Sequence, residues 1–110
     1  MSVKFVITTL KPGVAPADYE RWVRERDYVY TSRNPNFISY RVHRIEGPIT
    51  GAPGATWQYV ERIEVKDLAQ HHQDLASPEG SALLKELYDH YLDRAKNIYL
   101  TAEVIELTET

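Results

Sequence analysis

Histidine, tyrosine and the carboxylates are the groups in this chain able to move or hold a proton, because cysteine is absent. The stretch FISYRVHRI, Phe37 to Ile45, sets Arg41 and His43 on alternate positions between apolar ends. If its odd-numbered side shares a face with the odd side of TWQYVERIEV, Thr56 to Val65, then Arg41, His43, Trp57, Tyr59 and Glu61 converge. A neutral imidazole near pH 7 takes or gives a proton, a neighbouring carboxylate fixes its tautomer, and a guanidinium or phenol stabilises an enolate or oxyanion. The expected catalytic set is therefore His43 for proton transfer, Glu61 as its orienter and Arg41 as a polar contact. The competing interpretation is a structural cluster with an Arg41–Glu61 ion pair and a bystander His43, since buried charges persist when paired.

Aromatic residues give a second group. Tyr19, Trp22, Arg26 and Tyr30 fall on one helical stripe with Asp27 and Tyr28 beside it. Eight tyrosines are many for 110 residues. Tyr19, Trp22, Tyr28, Tyr40, Trp57 and Tyr59 are thus the expected lining of a cavity for a flat, partly polar aromatic ligand, although such a stripe also suits a core. His71 and His72 point about 100° apart on a helix, no HExxH spacing occurs, and His90 belongs to an outer helix face. These three are expected to be solvated, with no metal site. Cysteine chemistry is excluded, no serine occupies a nucleophile elbow, and Gly47, Gly51 and Gly54 do not open a helix as a phosphate loop would. The sequence therefore predicts catalysis or binding without a cofactor.

The elements that must position these groups follow from apolar spacing. Val3–Leu10 reads as a strand covered on both faces, Pro16 opens a helix that stops before Asn34-Pro35, and FISYRVHRI and TWQYVERIEV form a long hairpin around the loop Gly47–Ala55. Helical sequence from Lys66-Asp67 breaks at Ser77-Pro78, where Ser77 caps a new helix to about Lys96 with Leu83, Leu84, Leu87, Tyr88, Tyr91 and Ala95 inward. Asn97–Leu107 is the last strand. The order βαββαβ predicts an α+β, ferredoxin-like fold in one domain over residues 1–110, a four-stranded antiparallel sheet with helices on one face. Apolar residues on both sides of the first and last strands call for a cover on the other face, which a second copy would supply as a homodimer.

Thirteen basic against sixteen acidic residues, with no basic run, argue against nucleic acid as partner. The N-terminal apolar run is too short to span a membrane and carries no cleavage-site pattern, so the expected location is cytoplasmic.

Trp22-Val23-Arg24, Asp27-Tyr28, Ser39-Tyr40-Arg41-Val42-His43-Arg44 and Tyr59-Val60-Glu61 carry a resemblance that extends over nearly the whole chain. The sequence resembles the HapK/RedY-like proteins of the dimeric α+β barrel superfamily, associated with prodiginine and related pyrrole or bisindole natural-product pathways. The resemblance implies a homodimer with a small-molecule cavity between sheet and helices, acting on a reactive biosynthetic intermediate. Three functions are compatible with it: a cofactor-free, metal-free acid/base enzyme of the cyclase or isomerase kind, a cofactor-independent monooxygenase, or a protein that holds an unstable intermediate for a pathway enzyme. A housekeeping barrel with an incidental cavity is the plainer alternative.

Overall fold

The structure, a computed structural model, describes residues 2–46 and 58–106. Trp57 and the loop Gly47–Ala55 lie outside the described residues, as do Thr56 and Leu107, the expected outer ends of the last two strands.

Runs of β-branched and aromatic residues form β1 Ser2–Thr8, β2 Phe37–Arg44, β3 Tyr59–Val65 and β4 Ile98–Glu103. They make one antiparallel sheet in the order β2-β3-β1-β4. With its helices on one face, this is the ferredoxin-like fold that the element order predicts. Helix α1 is built in three parts, Pro16–Trp22, a π-helical turn Val23–Asp27, and Tyr28–Ser32. Helices α2 Leu68–Ala76 and α3 Pro78–His90 complete the layer.

Local signals fix the helix ends. The Asp67 carboxylate accepts the Gln70 N–H at 3.1 Å to start α2, and the Ser77 hydroxyl accepts the Gly80 N–H at 3.2 Å to start α3. The junction between them is tight: a Cβ on Gly80 would lie 2.1 Å from the Asp74 carbonyl oxygen, so only glycine fits.

Helix α3 stops at His90, short of the expected Lys96. Sheet-like bonds win there: the Tyr91 carbonyl accepts the Lys11 N–H at 2.8 Å, the Asp93 N–H donates to the Thr9 carbonyl at 2.9 Å, and fully buried Leu92 bridges Leu10. Ala95, expected inward, is consequently exposed in a short 3₁₀ turn, Arg94–Lys96.

Two apolar clusters lie between helices and sheet. One joins Tyr19, Trp22 and Val23 of α1 to Tyr59, Leu83, Leu87 and Leu92; the other gathers Val6, Tyr40, Ile63 and Val65 on the sheet. The opposite sheet face carries half-buried Phe5 and Ile7 and half-exposed Leu100.

Candidate active site

Which side chains of β2 face the helices is decided by one extra residue. Phe37 pairs with Val65, but Ser39 pairs with Glu64 and Tyr40 with Ile63, so Ile38 is a β-bulge. Before the bulge the odd position faces the helices; after it the even ones do. Phe37 and Tyr40 consequently lie on the same side, their rings edge to face with centroids 5.8 Å apart. Opposed residues of an antiparallel pair share a face, which puts Tyr40 with Ile63, Val42 with Glu61 and Arg44 with Tyr59.

This overturns the expected convergence. Arg41 and His43 oppose Arg62 and Val60, are exposed, and sit on the sheet face away from Glu61. The Arg41 guanidinium donates to the Tyr40 carbonyl at 2.6 Å and makes no ion pair with Glu61. His43 borders an open groove with Glu20, Arg44 and Tyr59. In that groove Glu20 is the shared acceptor, taking the Arg44 guanidinium and, at 2.7 Å, the Tyr59 hydroxyl. Those partners hold the Glu20 carboxyl far below its ordinary value, at about 2.

Helix α1 has its own extra residue. Its buried stripe, Tyr19, Val23, Asp27 and Thr31, repeats every four positions, too long for a 3.6-residue turn. The π turn absorbs the excess, with the Tyr28 N–H reaching back five residues to the Val23 carbonyl. Asp27 is thereby buried above the sheet, while Arg26, expected on the inward stripe, is exposed and pairs with Glu86 at 3.1 Å.

The two bulged elements meet at a hydrogen-bonded triad. The Tyr40 hydroxyl lies 2.6 Å from Asp27 Oδ2 and 2.9 Å from Glu61 Oε1, and all three side chains are buried. A phenol has one proton and can donate to one carboxylate only. For both contacts to be hydrogen bonds at once, the second carboxyl must itself be protonated and donate to the phenol oxygen. The shorter contact is the charge-assisted one, so Tyr40 donates to an ionised Asp27 and a protonated Glu61 donates to Tyr40. The electrostatics agree: burial raises both carboxyl pKa values, and the charge of Asp27 raises that of Glu61 further. Burial, with both carboxylates nearby, also pushes the Tyr40 phenol well above its ordinary range.

The triad opens into a cavity of about 220 Å³. Sheet residues Lys4, Val6, Tyr40, Glu61 and Ile63 form its floor; Trp22 and Asp27 of α1, His71 and Leu75 of α2 and Leu83 and Leu87 of α3 form its walls. Arg94 and half-exposed Tyr99 lie toward solvent. Burial draws the Lys4 ammonium below its ordinary pKa, against the pull of Glu61.

Of the residues expected at the site, Trp22, Tyr40 and Glu61 line this cavity. Trp22 is fixed by an N–H bond of 2.5 Å to Glu86. Tyr19 is wholly buried in the core, its ring 4.7 Å from that of Tyr59, and Tyr28 is spent on accepting the Val42 N–H at 3.0 Å. Sequence reasoning missed His71, expected in solvent but 2% exposed and in the cavity wall, and left Asp27 and Lys4 unassigned. A signal for His71 was available: it follows Leu68 by three and precedes Leu75 by four, the spacing of one helix face. Among the described residues, no group of three or more His, Asp or Glu is placed to hold a metal, and no helix is long and apolar enough to cross a membrane.

Comparison with known proteins identifies a family and several structural neighbours. The family described as REDY-like protein HapK matches residues 2–105. The crystal structure of HapK from Hahella chejuensis superposes with a TM-score of 0.76 at 20% identity, covering 100% of this chain and 98% of that one. Hydroxynitrile lyase from Passiflora edulis gives 0.74 at 12% identity over 98% and 96% of the two chains. SnoaB, a cofactor-independent oxygenase from Streptomyces nogalater, gives 0.67 at 19% identity over 96% and 95%. No curated protein matches the chain. The family match extends over nearly the whole length, and the ferredoxin-like architecture agrees with it: this chain belongs to the HapK/REDY-like family.

Proposed function

We propose that the protein is a cofactor-free acid/base enzyme that rearranges a reactive pyrrole- or indole-type biosynthetic intermediate by cyclisation, condensation or tautomerisation. One observation carries this reading: two buried carboxyls flank the one hydroxyl of Tyr40 inside a cavity, and with two protons among the three groups one carboxyl is an acid and the other a base.

The triad can run a complete proton cycle. Ionised Asp27 removes a proton from the ligand while protonated Glu61 gives one to the ligand atom that gains electron density. Asp27 is then protonated and Glu61 ionised. The proton of Asp27 passes to the Tyr40 oxygen as the Tyr40 proton passes to Glu61, which restores the starting state without solvent. The proton-transfer role expected of His43 thus falls to Glu61, with Tyr40 as relay and Trp22 as an apolar wall. Lys4, also in the floor, opposes negative charge as it develops.

The protein would act as a homodimer in the cytosol, its outer sheet face, with Phe5, Ile7 and Leu100, covered by a second copy. The test is turnover of pyrrole- and indole-type pathway intermediates by wild type and Tyr40→Phe, with dissolved oxygen followed in parallel. A loss of at least tenfold in the variant, with no oxygen consumed, is the expected result. Oxygen consumed in step with product would favour the monooxygenase reading, and saturable binding without any rate effect would leave a holding protein.

A further inference from the structure

His71 is 2% exposed, yet neither ring nitrogen has a hydrogen-bond partner in the protein. More than about nine in ten buried polar groups are satisfied, so an imidazole left without a partner calls for a reason. It is not a loosely placed side chain. Its ring and that of Phe37 meet edge to face at a centroid distance of 5.5 Å and 79°, and α2 is tied down by the Asp67 cap and by an Asn34–Asp74 bond of 2.9 Å. A histidine kept for packing alone would hydrogen-bond a backbone carbonyl or carboxylate; this one borders the cavity instead.

We propose that His71 is the ligand-selecting residue of the cavity, and that it chooses an uncharged, planar heteroaromatic ligand of one or two rings through a hydrogen bond that a carbocyclic isostere cannot make. The inference rests on the cavity being the substrate site. Burial and the charges of Lys4 and His72 lower the His71 pKa to about 4, so at neutral pH the ring presents one N–H donor and one bare nitrogen acceptor. The cavity sets an ionised carboxyl against the Lys4 ammonium while Arg94 is exposed toward solvent, so a charged ligand placed beside His71 would add an uncompensated buried charge. Its volume of about 220 Å³ falls below the roughly 300–1,000 Å³ of sites for drug-sized molecules, which limits the ligand to one or two rings.

The experiment uses the full chain with indole and indene, two probes of one shape that differ in the ring N–H. Affinities are measured by titration calorimetry, and aromatic NMR shifts of Tyr40 and of Tyr88, which also lines the cavity, place the probes. Wild type is expected to prefer indole by roughly five- to tenfold, the worth of one neutral hydrogen bond. In His71→Phe, or in His71→Leu should the larger ring not fold, the preference falls to near unity. The unliganded variant melts at a higher temperature, because an unsatisfied buried polar group has been removed. His71→Gln, which keeps a donor and an acceptor, retains a preference for indole. An unchanged preference together with a lower melting temperature in the apolar variants overturns the proposal and makes His71 structural. Absence of saturable binding of both probes to wild type overturns the cavity reading itself, and this inference with it.

Discussion

The two faces of the sheet hold similar chemistry in opposite states. On the outer face Arg41, His43 and Arg62 spread their charge or polarity toward solvent beside Phe5, Ile7 and Leu100. On the helix face Asp27, Tyr40 and Glu61 are withdrawn from water, and they tolerate it by sharing protons in place of ion pairs. Polar content alone therefore does not mark a site; what distinguishes the helix face is desolvation of groups whose partners leave one proton too few for every acceptor.

The largest effect should come from exchanging the perturbation between faces. Glu61→Gln keeps a donor toward Tyr40 but cannot ionise, and should lower turnover of a pathway intermediate on the order of 10²–10⁴-fold. His43→Gln should leave the rate within about twofold. Kinetics on both variants check this, and reversed losses would move the chemistry to the outer face.

Next is packing beneath the helix face. Gly80→Ala forces a methyl group onto the Asp74 carbonyl and should destabilise the fold by about 3 kcal/mol in urea unfolding. On the outer face Leu100→Lys should alter protomer stability little but weaken the proposed self-association, read by sedimentation against concentration.

The smallest effect is a slope. Glu61 and Asp27 have folded pKa values above the ordinary 4.5 and 3.8, so the folded state holds a proton that the unfolded chain releases. Below about pH 4 both states are protonated and the triad makes no difference. As pH rises from there into the neutral range the folded state loses stability relative to the unfolded, and beyond the folded pKa values the loss is complete. Glu61→Gln should flatten that decline, whereas Arg41→Ala should leave it intact.

Much of this architecture was legible in the chain. Alternation gave β2 and β3, apolar residues on both sides gave β1 and β4, and Pro16 and Ser77-Pro78 gave two helix starts. Motif resemblance gave the family. The site was legible only in part, through Tyr40, Trp22 and Glu61, because two one-residue phase shifts stand at its centre. Phe37 does face inward, and a regular strand would then carry Arg41 and His43 inward too; the bulge at Ile38 sends Tyr40 and Val42 there. Likewise the π turn in α1 buries Asp27 and releases Arg26. Periodicity arguments assume regular elements, and both elements depart from regularity where they build the cavity. The early end of α3 has a different origin, strand-like bonds to Thr9 and Lys11 that no local pattern reveals.

The proposed chemistry depends on a protonated Glu61 beside an ionised Asp27 in the resting protein. Carbon-13 NMR of the side-chain carboxyls, titrated from pH 3 to 9 and assigned with Glu61→Gln and Asp27→Asn, measures it directly. Glu61 is expected to carry its proton still at neutral pH, Asp27 to ionise first, and Tyr40→Phe to shift both midpoints. Two carboxyls titrating independently near their ordinary values of 4.5 and 3.8 would contradict it.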